Sequence, residues 1–366
     1  MRKGGAERLV LDICNELEKR DDIKVKLVVL HPENEYEFLS KDLDIELCNS
    51  RVIPSISGKT FADTCELDKI IAEFRPNIIH SHLFEAEMLS RWKPIQGINY
   101  YSHCHDNMKQ FQNFGIKTLF NKKLLTNYYE KWLMLKRYNA CNNRFIAISK
   151  NNESYFRKSL PFKFSQNLVL HNNAIDFKNF NTAQTAEHII SKPYRFVTIG
   201  SLVDKKNQSF LVDVMSVMKN KGIVCHLDIF GDGVNRDVIF QKIKDLNLTE
   251  NIALHGIINN VEDFLSASLL YLHSSIEEAF GLVLLEAMAA GLPVVCLDGG
   301  GNRDIIEDGK NGFIIDQQDP DLFADKIIEL INNKELYTKM SQYAQMFAKK
   351  YDIKDYVDKL LELYSA

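Results

Sequence analysis

Short runs rich in β-branched residues alternate with stretches of helical periodicity along almost the whole chain, and this rhythm leaves few folds open. The spacing predicts strands at Lys24–Leu30, Asn77–His82, Ile98–His103, Phe145–Ser149 and Asn167–His171. A second series is expected at Phe196–Gly200, Val224–Phe230, Ile252–His255, Leu269–His273, Pro293–Leu297 and Gly312–Ile315. Helical patterns lie between them, as at Ala6–Lys19, Asn207–Lys219, Val234–Leu246 and Leu282–Ala290. Strands separated by helices pair in parallel, and the helices then cover both faces of the sheet. The polar stretch Asn179–Lys192 breaks the rhythm near the middle. The reading is therefore an α/β chain of two doubly wound domains, 1–185 and 186–350. An amphipathic helix over 351–366 is expected to pack back toward the first domain. In such sheets ligands bind at the carboxyl ends of the strands, so chemistry is expected in loops that follow strands, along a central cleft.

Composition closes off other classes. Hydrophobic residues make up 45% and charged residues 26%, as in an ordinary globular protein. No apolar run approaches the ~18 residues of a membrane-spanning helix. The basic start Met1-Arg2-Lys3 has no apolar segment behind it, so no signal peptide is read. The seven cysteines are scattered without a CxxC pair, which fits reduced, mostly buried thiols in the cytoplasm. A net charge of −4 argues against a nucleic-acid partner.

That charge is unevenly spread. Between Lys109 and Lys163 twelve Lys/Arg face only Glu130 and Glu153. Within this stretch Leu119, Phe120, Leu124, Tyr128, Trp132 and Leu135 recur at helical spacing. One reading is a basic amphipathic helix lying on an anionic membrane surface. The other is a core-facing helix with a solvated far side.

The strongest motif follows the predicted strand Leu269–His273: Ser274-Ser275-Ile276-Glu277-Glu278-Ala279-Phe280-Gly281, then the apolar helix from Leu282 to Ala290, stopped by Gly291 and Pro293. The start of that helix offers unpaired N–H groups and a partial positive charge, a site for a diphosphate. Glu278 precedes the helix and Glu286 lies inside it, so two carboxylates can accept hydroxyls from two ends of one ligand. Alternatively Glu278 only complements the helix dipole and Glu286 is a surface residue. A carboxylate in so apolar a helix needs a partner. A second loop, Gly200-Ser201-Leu202-Val203-Asp204-Lys205-Lys206-Asn207, also leaves a strand and carries a cation that can neutralise a departing diphosphate. A loop lysine alone is more often simply solvated.

Tyr101-Ser102-His103-Cys104-His105-Asp106-Asn107 ends another strand. Two histidines at i, i+2 share a face, but two ligands without a third make a poor metal site. His105 is taken as a partner facing the cleft, whereas His80, His82 and His103 read as structural. Gly4-Gly5-Ala6-Glu7-Arg8 opens a helix, where paired glycines allow close approach of a ligand. Asp42-Leu43-Asp44 and Asp319-Pro320-Asp321 look wrong for a metal: Asp319 reads as a helix start with Pro320 at its first position.

Together these residues resemble the retaining glycosyltransferases of family 4, with the GT-B fold. The E-x7-E pattern is matched by Glu278 and Glu286. The order of Gly4-Gly5, His105-Asp106, Asn173-Ala174-Ile175-Asp176, Lys206-Asn207, Gly231-Asp232-Gly233, His255-Gly256 and Gly299-Gly300-Gly301 also fits. The resemblance implies a hexosyltransferase that moves sugar from a nucleotide diphosphate sugar to a hydroxyl acceptor with retention and without a metal cofactor. It assigns Glu278 to the donor sugar's hydroxyls, Glu286 to the ribose and Lys206 to the diphosphate. Gly281 and Leu282 would present backbone N–H groups, Ile258 would frame the nucleobase, Ser201 would line the donor loop, Gly4 and Gly5 the cleft. His105 would stand beside the sugar near the acceptor. The basic stretch falls in the domain that holds acceptors in this family. It suggests a lipid-linked or surface-polysaccharide glycan at the inner face of the cell membrane. Two departures stand out. Ser201 occupies a position where the family often has Arg. An apolar strand expected before Gly4-Gly5 is also absent, which would leave two strand edges unpaired, so the chain is expected to be N-terminally incomplete. Rival readings are a nucleotide-sugar epimerase on the same fold and a non-catalytic subunit. A dinucleotide-binding oxidoreductase is disfavoured, because Arg236 stands at the third glycine of GxGxxG.

Overall fold

The computed structural model describes residues 4–56, 59–112, 121–181, 190 and 192–365. Lys117, Leu119, Phe120, the residues before Gly4, the expected boundary at 185/186 and most of the expected linker lie outside the described residues. The chain divides into two compact units, Met1–Asn173 with Tyr356–Ala366, and Ala174–Asp355.

In the first unit, β1 (Leu27–Val29) pairs in parallel with β2 (Ile45–Leu47). β3 (Arg51–Ile53) pairs antiparallel with β4 (Phe61–Asp63). A separate four-stranded parallel sheet runs β5 (Ile78–His82), β6 (Asn99–Cys104), β7 (Asn142–Ala147), β8 (Leu168–Leu170) in that order. Strands β2 to β4 were not predicted. Each is three residues long, too short for an alternation to register.

The basic helix forms at Lys122–Tyr138, its start capped by Asn121, whose side chain accepts from the Lys123 and Leu124 amides. It buries Leu133, Met134 and Tyr138 against Phe145, Phe156 and Phe164. The predicted apolar stripe is not this face. Tyr128 and Trp132 are exposed, with Lys136 Nζ 5.4 Å from the Trp132 ring centroid. The reason is local: Met134 and Tyr138, one turn apart, already supply the core contact, and Tyr128 and Trp132 fall on the opposite side.

The helix Ile353–Ser365 meets the first unit's sheet and the chain that leaves it at both of its ends. Tyr101 Oη donates to the Leu363 carbonyl (2.8 Å), as does Arg144 Nη1 (3.1 Å), and Tyr356 stacks on His171 with ring centroids 4.0 Å apart.

The second unit is built on one six-stranded parallel sheet. β9 (Tyr194–Ile199), β10 (Cys225–Phe230), β11 (Ile252–Gly256), β12 (Leu270–His273), β13 (Val294–Leu297) and β14 (Gly312–Ile315) lie in the order β11-β10-β9-β12-β13-β14. Strands β12 and β13 are buried at every residue, which is why they read as unbroken apolar runs. Leu211, Val214 and Met215 of the helix Gln208–Asn220 share a core with Phe323, Ile327 and Leu330 of the helix Pro320–Asn332. Asp319 caps the latter, accepting from the Asp321 and Leu322 amides with Pro320 in the first turn, as its sequence predicts. Cys14, Cys48, Cys104, Cys225 and Cys296 are buried free thiols, while Cys65 is exposed. Among the described residues no helix is long and apolar enough to cross a membrane.

Candidate functional site

The strand order of the second unit reverses between β9 and β12: the chain leaves β9 toward β10 on one side and returns as β12 on the other. Loops leaving two such strands diverge and open a crevice at their carboxyl ends. The loop after β9 ends in a 3-10 turn, Asp204–Lys206. The loop after β12 runs from Ser274 to Gly281 and enters the helix Leu282–Ala289. Three hydrogen bonds join them. Ser274 Oγ donates to the Lys206 carbonyl (2.8 Å), Ser275 Oγ to the Lys205 carbonyl (3.1 Å), and the Ile276 amide to the same Lys205 carbonyl (2.9 Å).

That stitching brings Lys206 Nζ to 2.5 Å from Glu278 Oε2, with the lysine 22% and the glutamate 11% exposed. Lys206 is therefore not a merely solvated loop lysine. His273, at the end of β12, places Nε2 3.3 Å from the same oxygen. Burial alone would push the Glu278 carboxyl up; the Lys206 charge and then His273 overcome it and hold the group well below the usual carboxylate range. Glu278 accordingly stabilises the fold above its unfolded value of about 4.3, and this contribution is lost as pH falls toward its lowered folded value. Burial pushes the His273 imidazole below its ordinary value, against the opposing pull of Glu278.

Glu278 is also fixed through its backbone. Its amide donates to the Gly299 carbonyl (2.7 Å) and its carbonyl accepts from Gly301 (2.9 Å). A Cβ on Gly301 would lie 2.3 Å from the Ala279 carbonyl oxygen, so this run of glycines is needed for the approach of two backbones. Gly281 adopts φ +99°, in the left-handed region, and turns the chain into the helix. The first N–H groups of that helix have no partner four residues back. Leu282 is half-buried at its first position, and Glu286 is half-buried one turn further in. The Tyr271 phenol is pushed up mainly by burial, and the charges of Glu286 and Glu278 both add to this. The Tyr271 hydroxyl donates to the Ile199 carbonyl (3.0 Å).

Ser201 is exposed, and its carbonyl accepts from Gln208 Nε2 (3.1 Å). Ile258 is half-buried in the loop after β11, at the sheet edge two strands from β9. Gly4, Gly5 and His105 belong to the first unit. Gly4 caps the helix Gly5–Leu17 in extended conformation and accepts from Tyr36 Oη (3.0 Å). His105 follows β6; its Nε2 lies 2.8 Å from His82 Nδ1, and its ring stacks on His103 at 4.3 Å. Burial and then the neighbouring histidines push its pKa well below that of a free imidazole.

Sequence reasoning did not single out His273, although its place at a strand end before the strongest motif was a usable signal. It also took His80, His82 and His103 one strand at a time. Pairing of β5 with β6 sets His82 opposite His103 and brings three imidazoles together.

Two family models match the chain. One, described as glycosyltransferase family 4, covers residues 3–177, and the other, described as glycosyl transferases group 1, covers 180–347. A similar protein is the N-acetylgalactosamine-N,N'-diacetylbacillosaminyl-diphospho-undecaprenol 4-alpha-N-acetylgalactosaminyltransferase of Campylobacter jejuni, 25% identical over 95% of this chain and 93% of its own length. Another is the UDP-Gal:alpha-D-GlcNAc-diphosphoundecaprenol alpha-1,3-galactosyltransferase of Escherichia coli, 23% identical over 84% of this chain and 79% of its own. Among solved structures, Anabaena Alr3699/HepE in complex with UDP and glucose superposes with a TM-score of 0.79 at 18% identity, over 100% of this chain and 97% of that one.

Proposed function

From the premise that the chain belongs to the family 4 glycosyltransferases and has the GT-B fold, we propose that it moves a hexosyl group from a nucleoside diphosphate to a hydroxyl of a lipid-linked glycan, with retention of configuration. The observation that carries this reading is the Lys206–Glu278 pair, 2.5 Å apart at the reversal of strand order and just before a helix start. In the reaction the leaving diphosphate gains charge as the glycosidic bond breaks. Lys206 and the N–H groups of the first helical turn would stabilise that charge, and Glu278 would hold the sugar's hydroxyls. Glu286 would take the ribose, and His105 the acceptor side of the sugar. This chemistry asks for no metal ion, so activity is expected to survive a chelator. The uridine diphosphate named with the HepE structure and the UDP-galactose named for the E. coli relative make uridine diphosphate sugars the first donors to try. The polyprenyl diphosphate acceptors in the two relatives' names support a lipid-linked acceptor. The decisive experiment is proton NMR of the reaction with a panel of donors. Transfer with the donor's own anomeric configuration is expected; an inverted product, or an altered donor without transfer, overturns the reading.

The acceptor's lipid also gives the basic helix a role. Tyr128 and Trp132 are exposed beside Lys136, and Lys122 and Lys123 are exposed at the same helix's start. Amphipathic aromatics and lysines of this kind settle at the headgroup level of an anionic bilayer. The protein is expected to float with vesicles containing anionic lipid and to stay behind with zwitterionic ones. Each lysine near such a surface is worth about 1 kcal/mol, so Lys122→Gln with Lys123→Gln should weaken binding roughly 30-fold. Equal flotation with both vesicle types would remove the membrane half of the proposal.

A further inference from the structure

The side chains that line one face of the first unit's sheet do more than fill space. β5 contributes His80 and His82, and β6 contributes His103, followed by His105. The i, i+2 spacing puts each strand's histidines on one face, and the β5–β6 register sets His82 beside His103. One ring nitrogen from each of His80, His82 and His103 lies within 4.8 Å of the others. His80 Nε2 and His103 Nδ1 are only 3.2 Å apart. Two imidazole nitrogens so placed share a single proton, and a metal ion can take that proton's place. Zinc-to-nitrogen distances of about 2.0–2.1 Å in a tetrahedral site separate neighbouring nitrogens by about 3.3 Å, close to what this pair already shows.

The outer contacts fit the same purpose. A ligating imidazole needs its second nitrogen held, so that the ring keeps its tautomer and direction. His80 Nδ1 lies 2.6 Å from Tyr364 Oη. His103 Nε2 lies 3.1 Å from Asn173 Oδ1. His82 Nδ1 is 2.8 Å from His105 Nε2, leaving Nε2 on the other side of its ring. His103 is buried, whereas His80 and His82 are only partly so. The His82 ring stacks on both others, with centroids 4.5 and 4.9 Å away, and must turn toward the pair to complete the site.

We propose that His80, His82 and His103 form a binding site for one divalent transition-metal ion of the zinc class, with solvent as the fourth ligand. Three neutral nitrogen donors without a carboxylate suit zinc, cobalt, nickel or copper and exclude magnesium and calcium, which require oxygen. The site belongs to the first unit, whereas Lys206 and Glu278 belong to the second. It touches the transfer machinery only through His105, whose partner His82 becomes a ligand.

The test uses the full chain without a polyhistidine tag, stripped with a chelator. Co2+ is titrated and followed by visible absorption, Zn2+ by calorimetry, and the zinc-loaded protein is examined by X-ray absorption. One equivalent should bind, with intense tetrahedral cobalt bands and a zinc shell of nitrogen at about 2.0–2.1 Å that includes three imidazoles. His80→Gln and His82→Gln should each weaken binding about 10²-fold or more, with unchanged circular dichroism. His31→Gln, on an exposed histidine paired with Glu85, should have no effect. Absence of stoichiometric binding to the folded protein, a sulfur shell at about 2.3 Å, or affinity unchanged in both glutamine variants overturns the proposal. The X-ray absorption arm decides the matter even where a variant fails to fold.

Discussion

Glu278→Gln is expected to lower kcat/KM for sugar transfer by about 10²–10³-fold while leaving the fold intact. The substitution keeps the side chain's shape and its place beneath Gly299 and Gly301, so the backbone bonds at 2.7 and 2.9 Å survive. It removes the negative charge that Lys206 meets at 2.5 Å and that stands 3.3 Å from His273 Nε2. An amide has one acceptor oxygen where the carboxylate had two, so it cannot bind a pair of sugar hydroxyls as the carboxylate does. Lys206→Met should cause a loss of similar size through the leaving group rather than the sugar. It should also raise the Glu278 carboxyl, because the largest influence opposing its burial is gone. The two residues touch, so the double variant should lose less than the product of the single effects. Activity within tenfold of wild type in Glu278→Gln, with the same thermal midpoint, would falsify the role given to this carboxylate.

The legibility of this site in the sequence followed its physical basis. The switch-point loops were readable because each follows a strong apolar strand, Tyr194–Ile199 or Leu270–His273, and ends at a helix. The E-x7-E pair was readable because Glu286 interrupts the apolar helix Leu282–Ala289. Gly299 to Gly301 stood out only by their place in the motif order, and what they accommodate in the structure is the backbone of residues 278 and 279. The basic helix stayed open between two readings because periodicity reports which residues align, not which side meets the core; Leu133, Met134 and Tyr138 hold the inner side. The histidine cluster escaped because its members are neighbours only through strand register, which no local pattern encodes.

Arg91 carries the other large effect, and its sequence context, a single arginine after the helix Phe84–Ser90, gave no hint of it. Its side chain is fully buried. Nε donates to Asn143 Oδ1 on β7 (2.6 Å), Nη1 to Ser81 Oγ on β5 (2.6 Å) and Ser90 Oγ (2.9 Å), and Nη2 to Ser102 Oγ on β6 (3.1 Å). One planar fork thus ties a helix end to three strands, as only guanidinium geometry allows. Nearby Glu87, 2% exposed, accepts from Tyr138 Oη; burial pushes its carboxyl up, and the Arg91 charge is the main influence holding it down. Arg91→Met removes the cation and leaves Ser81, Ser102 and Asn143 without that donor. Loss of one member of a buried charged set costs about 3–5 kcal/mol, a large share of the ~5–15 kcal/mol that holds a domain together. The urea midpoint of the first unit should fall by about 1–2 M, with Arg91→Lys in between. A carboxyl raised in the folded state stabilises at low pH and loses that contribution as pH rises through its folded value. Without Arg91 the rise in Glu87 is greater, so the deficit of Arg91→Met should narrow at acid pH and widen at alkaline pH. A variant within 1 kcal/mol of wild type at every pH, which is below the low end of about 3 kcal/mol for a broken buried pair, would show that the strands are held by packing and not by this buried cation.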